Sequence, residues 1–202
     1  ISGGKRFYVG KDKNPLSFFL TAGHTMDYQY TDEIIRNTTT SGTVYKDMNG
    51  KKYAENISQL ALANVDFDMQ NRHHISYNLM MIHANTQSVG DYNGKNSIFS
   101  DDYENLGFTR RQQTNDNMLI VNQLMTNWGL TKSLSLDAGA SYNMVKGYEP
   151  DRRINNLTKA EDGYTLLRGN SQQRYFSTLD EDDLNVKAGL VYRLKDNIEE
   201  IS

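Results

Sequence analysis

The sequence predicts an all-β protein, an antiparallel up-and-down meander that forms part of a large transmembrane β-barrel. Three observations carry that expectation. Apolar and polar residues alternate with period two over long stretches, the connections switch regularly between short and long, and no segment shows a helical repeat closed by a cap and a glycine stop. The 202 residues include 22 Lys+Arg and 25 Asp+Glu, giving a net charge of -3, with 37% hydrophobic residues, two Pro and no Cys. That length fits one domain or part of a larger one. Apolar content is low, yet 13 Tyr, 7 Phe and one Trp supply more large side chains than a disordered segment carries. Without Cys there is no disulfide scaffold, Cys-ligated zinc, iron–sulfur cluster or thiol nucleophile. The near-neutral charge gives no field for nucleic acid.

Element by element, Lys5 to Val9 reads as a short strand. From Ser17 to Tyr30, Phe18, Leu20, Ala22, His24, Met26, Tyr28 and Tyr30 oppose Ser17, Thr21, Gly23, Thr25, Asp27 and Gln29, which is strand periodicity. Ala61, Ala63, Val65, Phe67 and Met69 form the apolar row of Leu60 to Gln70. From His74 to Gln87, Ile75, Tyr77, Leu79 and Met81 form another, although Met80 and Ile82 blur the polar side. Gln113 to Trp128 is mixed on both faces and reads as a strand from its length and neighbours. Leu134, Leu136, Ala138, Ala140, Tyr142 and Met144 alternate with polar neighbours, as do Leu184, Val186, Ala188, Leu190, Tyr192 and Leu194, with Val191 the exception. Thr31 to Arg36 could form a helical turn. About seven strands result, and Ile198 to Ser202 looks like the start of another.

Asn71-Arg72-His73, Gly129 to Lys132, Lys195-Asp196-Asn197 and the slightly longer Lys11 to Leu16 are short connections. Between them lie three long polar ones: Thr31 to Gln59, Ser88 to Gln112 and Lys146 to Asp183. Short turns on one end and long excursions on the other are the pattern of outer-membrane barrels, whose spanning strands need ~9–11 residues. Trp128 and Tyr192 fall near short turns, while Tyr28, Tyr30 and Tyr142 fall near long connections, as two interfacial girdles require. His24 on the apolar row is a defect in the pattern. The runs Leu79 to Ile82 and Met118 to Val121 are far shorter than the ~20 residues of a membrane-spanning helix. Position 1 is Ile and no signal segment follows, so the expectation is a piece of a longer chain. Asp66, Asp68, Asp137, Lys187 and Arg193 on the polar row suit a wide wet lumen, hence a large barrel truncated on both sides. A soluble β-sandwich that binds carbohydrate, or another outer-membrane barrel such as a porin or adhesin, remains an alternative; sandwich strands are typically ~5–6 residues.

The stretches Arg72 to Asn85, Phe108-Thr109-Arg110-Arg111-Gln112-Gln113-Thr114-Asn115, Ser135 to Asn143 and Gly147-Tyr148-Glu149-Pro150-Asp151-Arg152-Arg153 resemble the barrel of TonB-dependent outer-membrane receptors of the Bacteroides group. Asp183 to Tyr192 is similar to a later strand of that family. The resemblance spans nearly the whole chain but only an internal portion of a barrel of ~22 strands. No plug and no TonB box is recognisable. It implies a non-enzymatic receptor in the outer membrane of a Gram-negative bacterium that takes up a small molecule, chelate or glycan. Its implied partners are outer-membrane lipid, lipopolysaccharide and, through the absent plug, the TonB complex.

Candidate chemistry is sparse. Gly90 to Ser97 departs from a phosphate-binding loop, with three residues between its glycines and Asn96 after Lys95, and reads as an exposed loop. His73 and His74 are adjacent at a turn, where neighbours point to opposite faces, and His24 and His83 sit on other strands, so neither a metal nor a cofactor is expected, and Asp180-Glu181-Asp182-Asp183 reads as a solvated loop end. The candidate ligand contacts are Tyr92, Tyr148, Arg152 and Arg153. They lie in the long connections, where aromatic stacking and forked guanidinium donors could hold a sugar, chelate or acidic substrate.

Overall fold

The computed structural model describes residues 1–70, 72–97, 106–166 and 172–193. They form eight strands and one sheet: β1 (Ser2–Val9), β2 (Asn14–Thr38), β3 (Val44–Met69), β4 (His73–Asn96), β5 (Leu106–Gly129), β6 (Leu134–Ala160), β7 (Gly163–Leu166) and β8 (Gln173–Tyr192). All pairings are antiparallel between neighbours in the chain, except that β7 and β8 share one edge of β6. The fold is the all-β antiparallel meander that the alternation predicts. The expected turn at Lys195-Asp196-Asn197, Leu194 and the strand start at Ile198 to Ser202 lie outside the described residues, as does Asn71 of the turn before β4.

The three long connections are corrected. Strand pairing continues through them: β2 and β3 stay paired up to Thr38 and Val44, with a register shift after Asn37, β4 and β5 up to Lys95 and Leu106, and β6 runs to Ala160. Thr31 to Arg36 is therefore strand rather than a helical turn, and β7 is an additional element. The ladder bonds that hold such hairpins need no apolar side chain, so polar sequence hides them. At 24 to 27 residues, β2 to β6 are each about 80 Å long, more than twice what a tilted strand needs to cross hydrocarbon.

One face of the lower half is apolar. A central row runs Phe18, Val65, Tyr77, Leu124, Ala140 and Val186 across β2, β3, β4, β5, β6 and β8. The band crosses the strands obliquely. Its upper limit on β2 is Tyr30, but Tyr30's own row passes through Gln112 and ends at Arg153 and Arg174. On β8 the band stops at Leu184, which shares a row with Leu20, and it reaches down to Leu190 and Tyr192. Polar atoms within it are bonded internally. Tyr77 Oη donates to Asn122 Oδ1 (2.9 Å), Asn122 to the Tyr142 carbonyl (3.3 Å), and His24, Gln59, His83 and Asp116 form one chain of contacts.

Among the described residues the only buried apolar side chains are Met48 and Tyr92, with Ile35 packed beside them, high on the opposite, polar face. The chain exposes 14484 Å² of surface. A compact soluble protein of 23.1 kDa would expose about 9,700 Å². The sheet is a single layer whose apolar face has no protein layer over it among the described residues.

Candidate functional site

Above the apolar band the paired strands carry polar clusters on both faces, built by two devices. The first is glycine. Gly50 lies directly opposite Tyr92, and Gly90 precedes Tyr92 by two residues, so all three positions point to the polar face. A Cβ on Gly50 would stand 2.0 Å from the Tyr92 ring and one on Gly90 2.6 Å from its hydroxyl. The ring therefore lies flat across the sheet, and its Oη donates to Glu33 Oε2 at 2.6 Å. Burial and that carboxylate push the Tyr92 hydroxyl up from the ordinary 10 to about 12. Lys52 Nζ stands 3.9 Å from Glu33.

The second device is a register break. Pairing of β5 with β6 is interrupted between Gln112 and Asp116, and pairing of β6 with β8 between Glu149 and Arg152. Pro150, which has no N–H for a ladder bond, falls in the gap. Alternation sends Arg152 and Arg153 to opposite faces, and the one-residue shift puts Arg153, rather than Arg152, on the face of Tyr148. Arg152 Nε is 3.6 Å from Glu149 Oε1 on the polar face, and its guanidinium sits 4.5 Å from the Tyr175 ring centroid. Arg153 lies on the same face as the apolar band, bonded to Asp151, which also accepts two bonds from Arg174 at 2.7 and 3.2 Å. Those two guanidinium groups hold the Asp151 carboxyl below the usual carboxylate range. Tyr148 is also on that face, half exposed, in a row with Met26, Ile57, Asn85, Asp116 and Thr178.

The four sequence candidates thus sit on strands rather than loops, divided between two faces: Tyr92 and Arg152 on one, Tyr148 and Arg153 on the other. They do not converge on one ligand. Gly90 to Asn96 is likewise strand, not exposed loop, and Gly90 and Tyr92 are buried. Asp180 to Asp183 belongs to β8, where alternation sends Asp180 and Asp182 to one side and Glu181 and Asp183 to the other. His73 stacks on Trp128 with ring centroids 4.1 Å apart, while its neighbour His74 turns to the other face and bonds Asp68 at 2.7 Å. Among the described residues no group of His, Asp and Glu could hold a metal ion.

Sequence reasoning missed Glu33, Asp151 and Arg174. Asp151 adjoins two named arginines and carried a local signal; Glu33 and Arg174 are brought in only by cross-strand register. On the apolar side, directly above the band, a concavity of about 600 Å³ opens at the first register break, beside Tyr30, Tyr53, Gln112 and Arg153. No protein-family model matches the chain, and no curated protein matches it either.

Proposed function

We propose that the chain is the barrel portion of a TonB-dependent outer-membrane receptor for active nutrient uptake, with hydrocarbon covering the apolar face and water the other. The observation that carries the membrane part is the oblique apolar band. Barrel strands tilt by ~35–45°, so a slab of lipid cuts across hydrogen-bonded rows instead of following them. The band slides toward the short turns from β2 to β8 in that manner. Short turns at one end and hairpins prolonged by about a dozen residues at the other fit the periplasmic and external sides.

Two features support a larger barrel. Among the described residues β1 has a partner only in β2, and β8, 20 residues long, pairs only with β6. Unpaired edges in lipid cost several kcal/mol for each unsatisfied group, so further strands must continue on both sides. The polar face carries Arg6, Asp66, Asp68, Asp137 and Lys187, groups that need a wet interior. A soluble sandwich would need a second sheet against the apolar face, and the described residues form one sheet. Active uptake rests on the family resemblance and needs a plug domain in the same polypeptide. Translating the gene upstream of Ile1 tests it: a plug sequence preceded by a TonB-contacting box is the expected result, and a complete frame without one would leave a passive channel or adhesin.

A further inference from the structure

The concavity of about 600 Å³ on the apolar side is lined by Tyr30, Tyr53, Glu55, Gln112, Asp151 and Arg153, among others. An aromatic girdle at a membrane surface requires rings alone. This place has more. The Tyr30 and Tyr53 rings lie 5.2 Å apart, inclined by 51°, and 50% and 54% of these residues remain exposed, so ring faces are free to take a ligand. Tyr30 Oη donates to Asp32 (2.6 Å), which orients that ring before anything binds, with Tyr53 packed against it, and the neighbouring Tyr28 Oη donates to Glu55 (3.4 Å). Opposite the rings, planar polar groups gather at the register break: the Gln112 amide, and Asp151 held between Arg153 and Arg174.

A wall of aromatic faces opposed by planar amide, carboxylate and guanidinium groups suits a sugar. The C–H side of a pyranose packs on a ring, and its vicinal hydroxyls match forked donors and acceptors. Charge argues for a neutral sugar over a phosphorylated one, because Glu55 and Asp151 outnumber Arg153 among the lining groups. We infer that this cleft is a saccharide-binding site, with the inclined Tyr30 and Tyr53 rings forming its aromatic wall, Tyr53 stacking on the pyranose, and Gln112, Asp151 and Arg153 holding the hydroxyls. It lies on the face opposite the proposed lumen and stands on the cleft alone, whether or not the protein imports anything.

The test uses the full-length protein in detergent and two kinds of probe. One is a set of free neutral oligosaccharides (maltohexaose, cellohexaose and mannohexaose); the other is delipidated lipopolysaccharide core oligosaccharide. Binding is read by saturation-transfer NMR and tyrosine fluorescence. Saturation of either kind supports the site, and which kind binds tells a free glycan from the outer-leaflet sugar. Tyr53→Ala is expected to weaken binding about tenfold while Tyr53→Phe stays within about threefold, as stacking requires. Gln112→Ala, at a partly buried position within β5, is expected to weaken it about fivefold while Tyr53→Phe controls for the fold. Absence of saturation with every probe, or equal binding by wild type, Tyr53→Ala and Gln112→Ala, overturns the inference.

Discussion

Tyr92 shows how a residue singled out as a ligand contact becomes a structural lock. Its ring occupies the space that Gly50 and Gly90 leave open, and its hydroxyl is held by Glu33 from two strands away. Gly50→Ala must evict the ring, and is expected to cost ~1–3 kcal/mol in denaturant unfolding. In a Tyr92→Ala background the same change should be close to neutral; an equal cost in both backgrounds would refute the steric account. The raised pKa has a sign. Since the folded value lies above the ordinary 10, the stabilisation that Tyr92 gives is fully present below pH 10 and is lost as pH rises through about 12. Absorbance at the phenolate band should show a late-ionising component that Tyr92→Phe reduces. The sequence shows Gly90 two residues before Tyr92, but not the register that sets the distant Gly50 against Tyr92.

At the scale of elements, the lower and upper halves of each strand obey different rules. Alternation is readable where the two faces meet different media: Leu134 to Met144 alternates because Ala138 and Ala140 lie in the apolar band while Asp137 and Ser141 lie on the polar face. Above the band both faces are polar, so β6 from Tyr148 to Ala160 carries no period although pairing resumes beyond the break. Pro150 was the one local signal of the break there. The division makes an asymmetric prediction. Val65→Arg, in the central apolar row, should destabilise the folded protein in lipid vesicles by ~2–4 kcal/mol, whereas Ser141→Arg on the polar face should change it by about 0.5 kcal/mol or less. Equal penalties would mean that the two faces meet the same medium.

The whole molecule has the proportions of a wall rather than a globule. Its surface is about half as large again as that of a compact protein of its mass, and among the described residues Met48 and Tyr92 are the only buried apolar side chains and both sheet edges end in open strands. Sequence patterning reached the meander and its greasy face because both follow from a two-residue period. It did not reach the prolonged hairpins or the cleft, since these depend on backbone pairing and on residues far apart in the chain. Lipid contact along the oblique band is the claim on which the rest depends, and spin-label accessibility in reconstituted vesicles tests it most directly. Labels at Phe18, Leu20, Leu136, Ala138, Val186 and Ala188 should relax with lipid-soluble oxygen and be shielded from an aqueous nickel chelate, with labels at Thr21, Ser141 and Asn185 behaving in the opposite way. Chelate access to the first set, or protection of that set from both reagents, would contradict a hydrocarbon-facing sheet.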